Sequence, residues 1–150
     1  MSVAHQSFYV EAGRQYSPHD AVDLLGISVV RTWLRDTWGA WCAARRKIVI
    51  ATGLSAVQER CVLAHEIEHV LAVHDGCASG VVAVRQERRA DIEAARKLIA
   101  ISDLCEVAQW ADDIRVAANE LHVTERMLRV RLRDLDGEAW PWPSAERGVG

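Results

Sequence analysis

A capped helix near the middle of the chain places the strongest constraint on the fold. Ser55 is followed three residues later by Gln58, the spacing of a capping box that opens an α-helix. The residues that follow keep a helical period of apolar positions, and Asp75-Gly76 supplies a stop signal. The sequence therefore predicts a helix over residues 55 to about 74, around which the rest of the fold has to pack.

This helix carries the pentapeptide His65-Glu66-Ile67-Glu68-His69. Residues four apart differ by only about 40° around a helix, so both imidazoles project from one face and can share a zinc ion. Glu66 and Glu68 lie roughly 60° to either side of that face, so spacing alone does not distinguish them. The known chemistry of the H-E-x-x-H motif selects Glu66 as the general base.

The third zinc ligand has to come from another element, because a catalytic site takes three protein ligands and leaves one position to water. A second helix is predicted over residues 85–101. On its wheel Glu87 and Asp91 lie on the apolar side, where charged groups need a partner. Glu87 is therefore the candidate third ligand, and Asp91 can accept the free ring N–H of a ligating histidine. The alternative is that both carboxylates pair with Arg88 or another arginine.

The remaining sequence predicts a small sheet before these helices and more helices after them. Ser17 and Pro18 open a short helix that stops at Gly26. β-Branched and aromatic residues predict three strands in an antiparallel meander, over residues 27–34, 38–43 and 47–51. Two further helices are predicted over residues 103–120 and, after a Thr124 cap, up to residue 135.

Strands first and helices after them indicate an α+β fold, in which a three-stranded antiparallel sheet precedes a helical bundle that carries the HExxH helix. With no repeat or linker, residues 1–136 are interpreted as one domain that includes a C-terminal helical pair over about 106–135. Residues 137–150 are interpreted as a flexible tail.

The charge balance excludes binding that is mainly electrostatic. Among 150 residues, 18 Lys and Arg face 21 Asp and Glu, whereas nucleic-acid and membrane binders of that kind need a basic excess. No stretch approaches the roughly 18 to 20 apolar residues of a membrane span, and the first residues lack the pattern of a signal peptide. Four cysteines stand singly, as reduced thiols do. We therefore expect a cytoplasmic protein.

On these motifs the sequence resembles the ImmA/IrrE-type zinc metallopeptidases, which are gluzincin-like proteins with an HExxH motif and a glutamate as third ligand. The likeness is carried by HEIEH and by Glu87-x-x-Ala90-Asp91 on the following helix. It extends to the strands at Gly26-Ile27 and 48–50, and downstream to 117–124 and 131–133, so it covers most of residues 20–136. The resemblance implies that His65, His69 and Glu87 hold Zn²⁺ and that Glu66 is the general base.

Two departures from the family pattern leave every ligand in place. Glu68 stands where the family commonly has glycine, and Ile101-Ser102 stands where it often has Met-Pro. We expect the Glu68 carboxylate either to add negative charge near the metal or to point to solvent.

Three further residues near the motif are alternative ligands. His74 lies about 180° from His65 on the wheel and is expected to cap the helix end. Asp75 has the position of the third ligand in metzincin-type peptidases, but Ala72 replaces the glycine that lets the chain turn there. Cys61, one turn before His65, is interpreted as a small buried apolar residue rather than as a thiolate ligand.

The helical pair over residues 106–135 has helix-turn-helix proportions, with arginines at 126, 129, 131 and 133. These arginines are interpreted as a solvated face paired with the carboxylates of Glu125, Asp134 and Asp136. The turn has Leu121 where DNA readers usually prefer glycine. We expect the pair to wall the active-site groove, direct nucleic-acid binding being the alternative.

The resulting hypothesis is a zinc-dependent endopeptidase that binds an extended peptide against an edge strand at residues 39–43. The family resemblance implies a regulatory role, in which the protein substrate is a helix-turn-helix repressor of a phage or mobile element. One alternative is a transcription regulator or protein-binding module with a structural or vestigial zinc. Another is a helical interaction protein with no metal.

Overall fold

A computed structural model of the chain describes residues 15–135 and 140–142. The helices are α1 (Pro18–Leu25), α2 (Ala56–Leu71), α3 (Gly80–Leu98), α4 (Ile101–Ala108), α5 (Ile114–Glu120) and α6 (Glu125–Asp134). The strands are β1 (Ser28–Thr32), β2 (Gly39–Cys42) and β3 (Lys47–Ala51). The predicted α+β fold is therefore confirmed for the described residues.

The sheet is mixed, so the predicted antiparallel meander is wrong. Its order is β1-β3-β2, with β3 antiparallel to β2 and parallel to β1. A short 3₁₀ turn, Ala43–Arg45, joins β2 to β3 and enforces their antiparallel pairing. β3 is the central strand, and its apolar residues Ile48 and Ile50 are fully buried there, as expected of a strand covered by helices. β2 is left as an edge strand.

Local capping sets the beginnings of the helices that the sequence predicted. The Ser17 hydroxyl accepts from the backbone of Asp20, and Gly26 ends α1 at φ 64°. Both hydrogen bonds of the capping box between Ser55 and Gln58 are present. Thr124 caps α6 by accepting from the backbone of Met127, as predicted.

Helix ends and breaks differ from the predictions by several residues. α2 ends at Leu71, before the predicted stop, and α3 begins at Gly80 instead of residue 85. The predicted helix over 103–120 is two helices, because Asp113 caps a new one by accepting from the backbone of Val116.

α2 lies between two apolar clusters. On one side Leu63 and Ile67 pack with Ile48 and Ile50 of the central strand. On the other, Cys61 and Ala64 belong to a cluster with residues of α3, α4, α5 and α6. α2 is thus held from both sides, and it presents His65 and His69 from a fixed axis.

The predicted tail over residues 137–150 lies mostly outside the described residues. Its described part, 140–142, packs against the helical cluster: Trp142 is buried and its indole N–H donates to the carbonyl of Ala111 at 3.0 Å. Within the described chain, no helix combines the length and apolar character that a membrane crossing requires.

A buried charge network joins the end of α6 to α3. The Arg131 guanidinium donates to the Ile99 carbonyl at 3.0 Å and to Asp134 at 2.8 Å. Arg96 adds a 2.7 Å hydrogen bond to the same carboxylate. Hydrogen bonding from Arg96, opposed by partial burial and assisted by Arg131, lowers the pKa of Asp134.

Asp134→Ala is expected to destabilise the protein by about 3 kcal/mol at pH 7, because it leaves the buried Arg131 without its anion. Since the folded pKa of Asp134 is lowered, its contribution is present above the unfolded pKa and disappears as pH falls through the folded pKa. Urea unfolding at pH 7 and pH 3 measures this difference. Glu125→Ala, which breaks only the exposed pair with Arg129, should cost less than about 1 kcal/mol.

Candidate metal centre

Two imidazoles converge in the middle of α2. His65 and His69 lie one turn apart, and their Nε2 atoms are 3.1 Å from each other. Their ring centroids are 4.8 Å apart in an edge-on arrangement. The packing of α2 from both sides thus brings two potential ligand atoms together, as the four-residue spacing predicted.

Glu87 of α3 offers the third potential ligand atom. Its carboxylate oxygens lie 3.0 Å from His65 Nε2 and 2.8 Å from His69 Nε2. The ligand atoms of these three residues all lie within 4.8 Å of one another. The helical-wheel expectation of an inward-facing Glu87 needs correction, because its side chain is 62% exposed. Glu87 stands at the mouth of the cleft and turns its carboxylate toward the histidines.

This donor set fits a divalent metal ion. Two neutral imidazoles and one carboxylate are the ligand types that zinc binds in hydrolytic sites. Tetrahedral bonds of about 2.0–2.1 Å would place ligand atoms about 3.3 Å apart, a few tenths of an ångström beyond the separations seen here. A small outward shift of the exposed Glu87 side chain would meet that spacing.

Asp91 holds the other nitrogen of His65. Its Oδ1 atom lies 2.8 Å from His65 Nδ1, on the side of the ring away from Glu87. Arg126 of α6 donates to both carboxylate oxygens, at 3.2 and 2.6 Å. Although burial opposes ionisation, hydrogen bonds from His65 and Arg126 lower the pKa of Asp91 to about 2. Asp91 therefore has both of the partners that the sequence suggested, a histidine and an arginine.

Glu66 lies buried beside edge strand β2. A Cβ at residue 39 would lie 2.5 Å from Val62 Cγ1 and 3.3 Å from Glu66 Oε1, so glycine is what lets the strand approach. Burial, reinforced by the negative charges of Glu87 and Asp91, raises the pKa of Glu66 to about 7, against the opposing effects of His65 and the Trp41 backbone N–H. Such a carboxyl is suited to exchange protons near neutral pH.

The two histidines respond differently to the same surroundings. Burial disfavours the charged form of His65, but its hydrogen bond to Asp91 and the nearby carboxylates outweigh burial and raise its pKa. Burial and the adjacent charge of His65 lower the pKa of His69 despite the proximity of Glu87. The site therefore favours a neutral His69.

An open cleft of about 750 Å³ surrounds these residues. Edge strand β2 and the segment before it, from Asp36 to Trp41, form one wall. The other walls come from α3, α6 and the connection after α2, with Thr124, Arg126 and Met127 contributed by the helical pair. The cleft is open to the surface and is lined by His65, Glu66, His69 and Glu87, so a substrate can reach these residues from solvent.

The other charged residues around the motif have structural partners. Glu68 does not point to solvent, so that expectation was wrong: it is buried, pairs with Lys97 at 2.6 Å and lies outside the group of candidate ligands. Cys61 accepts from the Thr124 backbone N–H at 3.4 Å, and burial raises the pKa of its thiol. Asp75 accepts from the Cys77 backbone N–H in an exposed turn. Cys61 and Asp75 are outside the His65, His69 and Glu87 group.

The sequence reasoning missed two residues that help to position the site, one through Asp91 and one through His69. Arg126 was assigned to a solvated face of α6, and its contact with Asp91 spans 35 residues of chain, which periodicity does not register. His74 was assigned to a helix cap, but its Nδ1 lies 2.8 Å from His69 Nδ1. The helical-wheel prediction that His74 faces away from His65 does not apply, because α2 ends at Leu71 and residue 74 is not helical.

In metal-free protein, the raised pKa of Glu66 should make stability fall as pH rises from about 4.5 through about 7. The folded state holds the proton more tightly than the unfolded chain, so folding is favoured below the unfolded pKa and loses that advantage above the folded one. Glu66→Gln has no such proton, so relative to wild type it should gain about 3 kcal/mol between pH 4 and pH 8. Urea unfolding with a chelator present measures the free energy of unfolding of both proteins. If the difference between the two proteins is the same at pH 4 and pH 8, the prediction is wrong.

Comparison with known families agrees with this geometry. A family model described as the IrrE N-terminal-like domain, of peptidase family M78, matches residues 23–133, most of the 150-residue chain. Among curated proteins there is no match. The matched span contains His65, Glu66, His69 and Glu87, and the resemblance to ImmA/IrrE-type proteins is confirmed. The chain therefore belongs to the M78 family of metal-dependent peptidases.

Proposed function

We propose that the protein is a zinc-dependent endopeptidase with a regulatory protein substrate. The observation that carries this is the convergence of His65, His69 and Glu87 within 4.8 Å, beside a buried Glu66 and inside an open cleft. Two imidazoles with a carboxylate favour zinc among the common divalent cations. Membership of a metallopeptidase family supports the reaction class.

His65, His69 and Glu87 would hold zinc, which would supply Lewis-acid chemistry toward the attacking water and the scissile carbonyl. Glu66 accepts the proton of the attacking water on its carboxylate and later passes it to the leaving amine. Asp91 keeps the Nδ1 proton of His65 in place, so that the Nε2 lone pair stays available.

The substrate is proposed to bind as an added strand along β2. The backbone N–H of Ala51 donates to the carbonyl of Trp38. Hydrogen-bonded and non-hydrogen-bonded residue pairs alternate along antiparallel strands, so the backbone groups of Gly39 and Trp41 point away from β3. The Thr37 hydroxyl lies 2.9 Å from the Gly39 carbonyl and 3.4 Å from its N–H. An extended peptide would replace these local contacts and lie directly beside Glu66.

The ImmA/IrrE resemblance supports a helix-turn-helix repressor of a phage or mobile element as the substrate, in the cytoplasm. A cleft open along a sheet edge suits a chain segment of a folded protein better than a small molecule. The cleft residues contributed by α6 support the role expected for the helical pair, which is to border the groove. Arg126, Arg129 and Arg131 each have a carboxylate partner.

The test is incubation of the zinc-loaded protein with the helix-turn-helix repressor encoded nearest to its gene. We expect fragments with one defined new terminus, detected by intact-mass spectrometry and abolished by a chelator. An intact repressor, together with stoichiometric zinc and tight repressor binding, would contradict proteolysis and favour the protein-binding module. Cleavage that persists without metal would also contradict the proposal.

A further inference from the structure

The ring of His74 contacts the one nitrogen of His69 that faces away from Glu87. The two Nδ1 atoms are 2.8 Å apart, and the ring centroids are 5.1 Å apart with a tilt of 55°. On the opposite side of the same ring, His69 Nε2 lies 2.8 Å from Glu87. The two nitrogens of His69 thus face different partners, one in the metal centre and one behind it.

An unusual turn brings His74 to this place. α2 ends at Leu71, and Val73 then adopts φ 58°, a left-handed conformation that β-branched residues rarely take. The side chain of Val73 is almost fully exposed, so its packing does not offset the free-energy cost of the strained backbone. Among the contacts that the turn creates is the one between the rings of His74 and His69.

Hydrogen bonds on both sides of the residue hold the turn. The backbone N–H of His74 donates to the carbonyl of His69 at 3.0 Å. The carbonyl of His74 accepts from the indole N–H of Trp41, a residue of edge strand β2, at 3.1 Å. The position of His74 is therefore fixed by the helix that carries the ligands and by the strand that borders the cleft.

The chemistry of an imidazole gives this contact one productive arrangement. His69 can offer the lone pair of Nε2 to a cation only when its proton is on Nδ1. That N–H then donates to Nδ1 of His74, which accepts only when its own proton is on Nε2. Asp91 accepts the hydrogen bond from Nδ1 of His65 with a carboxylate oxygen. His74 would accept the equivalent hydrogen bond from His69 with a neutral ring nitrogen.

We propose that His74 is a positioning residue, which fixes the tautomer and ring orientation of His69 so that Nε2 faces the metal centre. The inference rests on the proposed metal site and adds a residue that acts through His69. His74 does not belong to the convergent group of His65, His69 and Glu87, so its role is to accept a hydrogen bond and not to ligate.

The test compares His74→Leu with His74→Asn in the full chain. Zinc affinity is measured at pH 7.5 by competition with a chromophoric chelator, a readout independent of peptidase activity. We expect His74→Leu to weaken affinity by about 10- to 100-fold, the range for losing such a partner. We expect His74→Asn to stay within about threefold of wild type, because its Oδ1 atom can occupy the acceptor position of Nδ1.

His19→Leu is the matched control, since it makes the same change at an exposed histidine whose side chain contacts Glu59, and neither residue lines the cleft. Its affinity should equal that of wild type, and circular dichroism should show every variant folded. Equal affinities for His74→Leu and wild type would overturn the inference, as would a His74→Asn protein as weak as His74→Leu. Failure of wild type itself to bind zinc would instead overturn the proposed function, and the inference with it.

Discussion

Glu66→Gln is expected to lower kcat for peptide hydrolysis by about 10³-fold while zinc stays bound, the usual size for loss of a general acid–base. The glutamine keeps the shape of the side chain beside Gly39 but cannot take a proton from water. The candidate ligands His65, His69 and Glu87 are unchanged in this variant. The measurement is steady-state cleavage of a repressor-derived peptide, together with zinc content.

Glu68→Gln is the matched control, because the motif spacing places both glutamates at similar angles to the histidines. The structure separates them: Glu68 is buried against Lys97, away from the cleft. We expect Glu68→Gln to lower stability and to change kcat by less than about threefold, since it removes a buried anion and no reacting group. Equal losses of kcat in the two variants would show that the assignment of the base to Glu66 is wrong.

Glu87→Ala is expected to weaken zinc binding by roughly 10²- to 10³-fold, because structural sites share about 10–16 kcal/mol among four ligands. The remaining pair, His65 and His69, comes from one helix and leaves the ion without its anionic ligand. Competition with a chromophoric chelator measures the affinity. Because the Glu87 side chain is 62% exposed, its removal should change stability of the metal-free protein by less than about 1 kcal/mol.

Glu93→Ala on the same helix is the control for Glu87→Ala. Glu93 contacts Arg89 and Arg96, so its removal alters charge on α3 without touching the metal centre. Its zinc affinity should match that of wild type. A similar loss in both variants would mean that general charge, and not ligation by Glu87, controls binding.

The parts of the fold that the sequence predicted are those governed by neighbours in the chain. Ser17, Ser55 and Thr124 cap helices through backbone groups three residues away, and such spacing is visible in the sequence. The convergence of His65 and His69 is equally local, since one helical turn separates them. The face of α3 that carries Glu87 and Asp91 followed from helical period alone, although Glu87 proved exposed.

The parts that the sequence missed depend on contacts between distant segments. The strand pattern of β1 and β3 does not say which strands are neighbours, so their parallel pairing was not predicted. The burial of Glu68 required knowledge that Lys97 packs beside it. His74 reaches His69 only because the helix stops early and Val73 turns the backbone.

The central claim is that one divalent ion is held jointly by two helices, α2 and α3. Isothermal titration of the metal-stripped wild-type protein with Zn²⁺ tests it most directly. The account predicts a single high-affinity site per chain, with an affinity that falls by roughly 100-fold or more in both His69→Ala and Glu87→Ala. Absence of a site in wild type, or an undiminished site after loss of the α3 carboxylate, would contradict it.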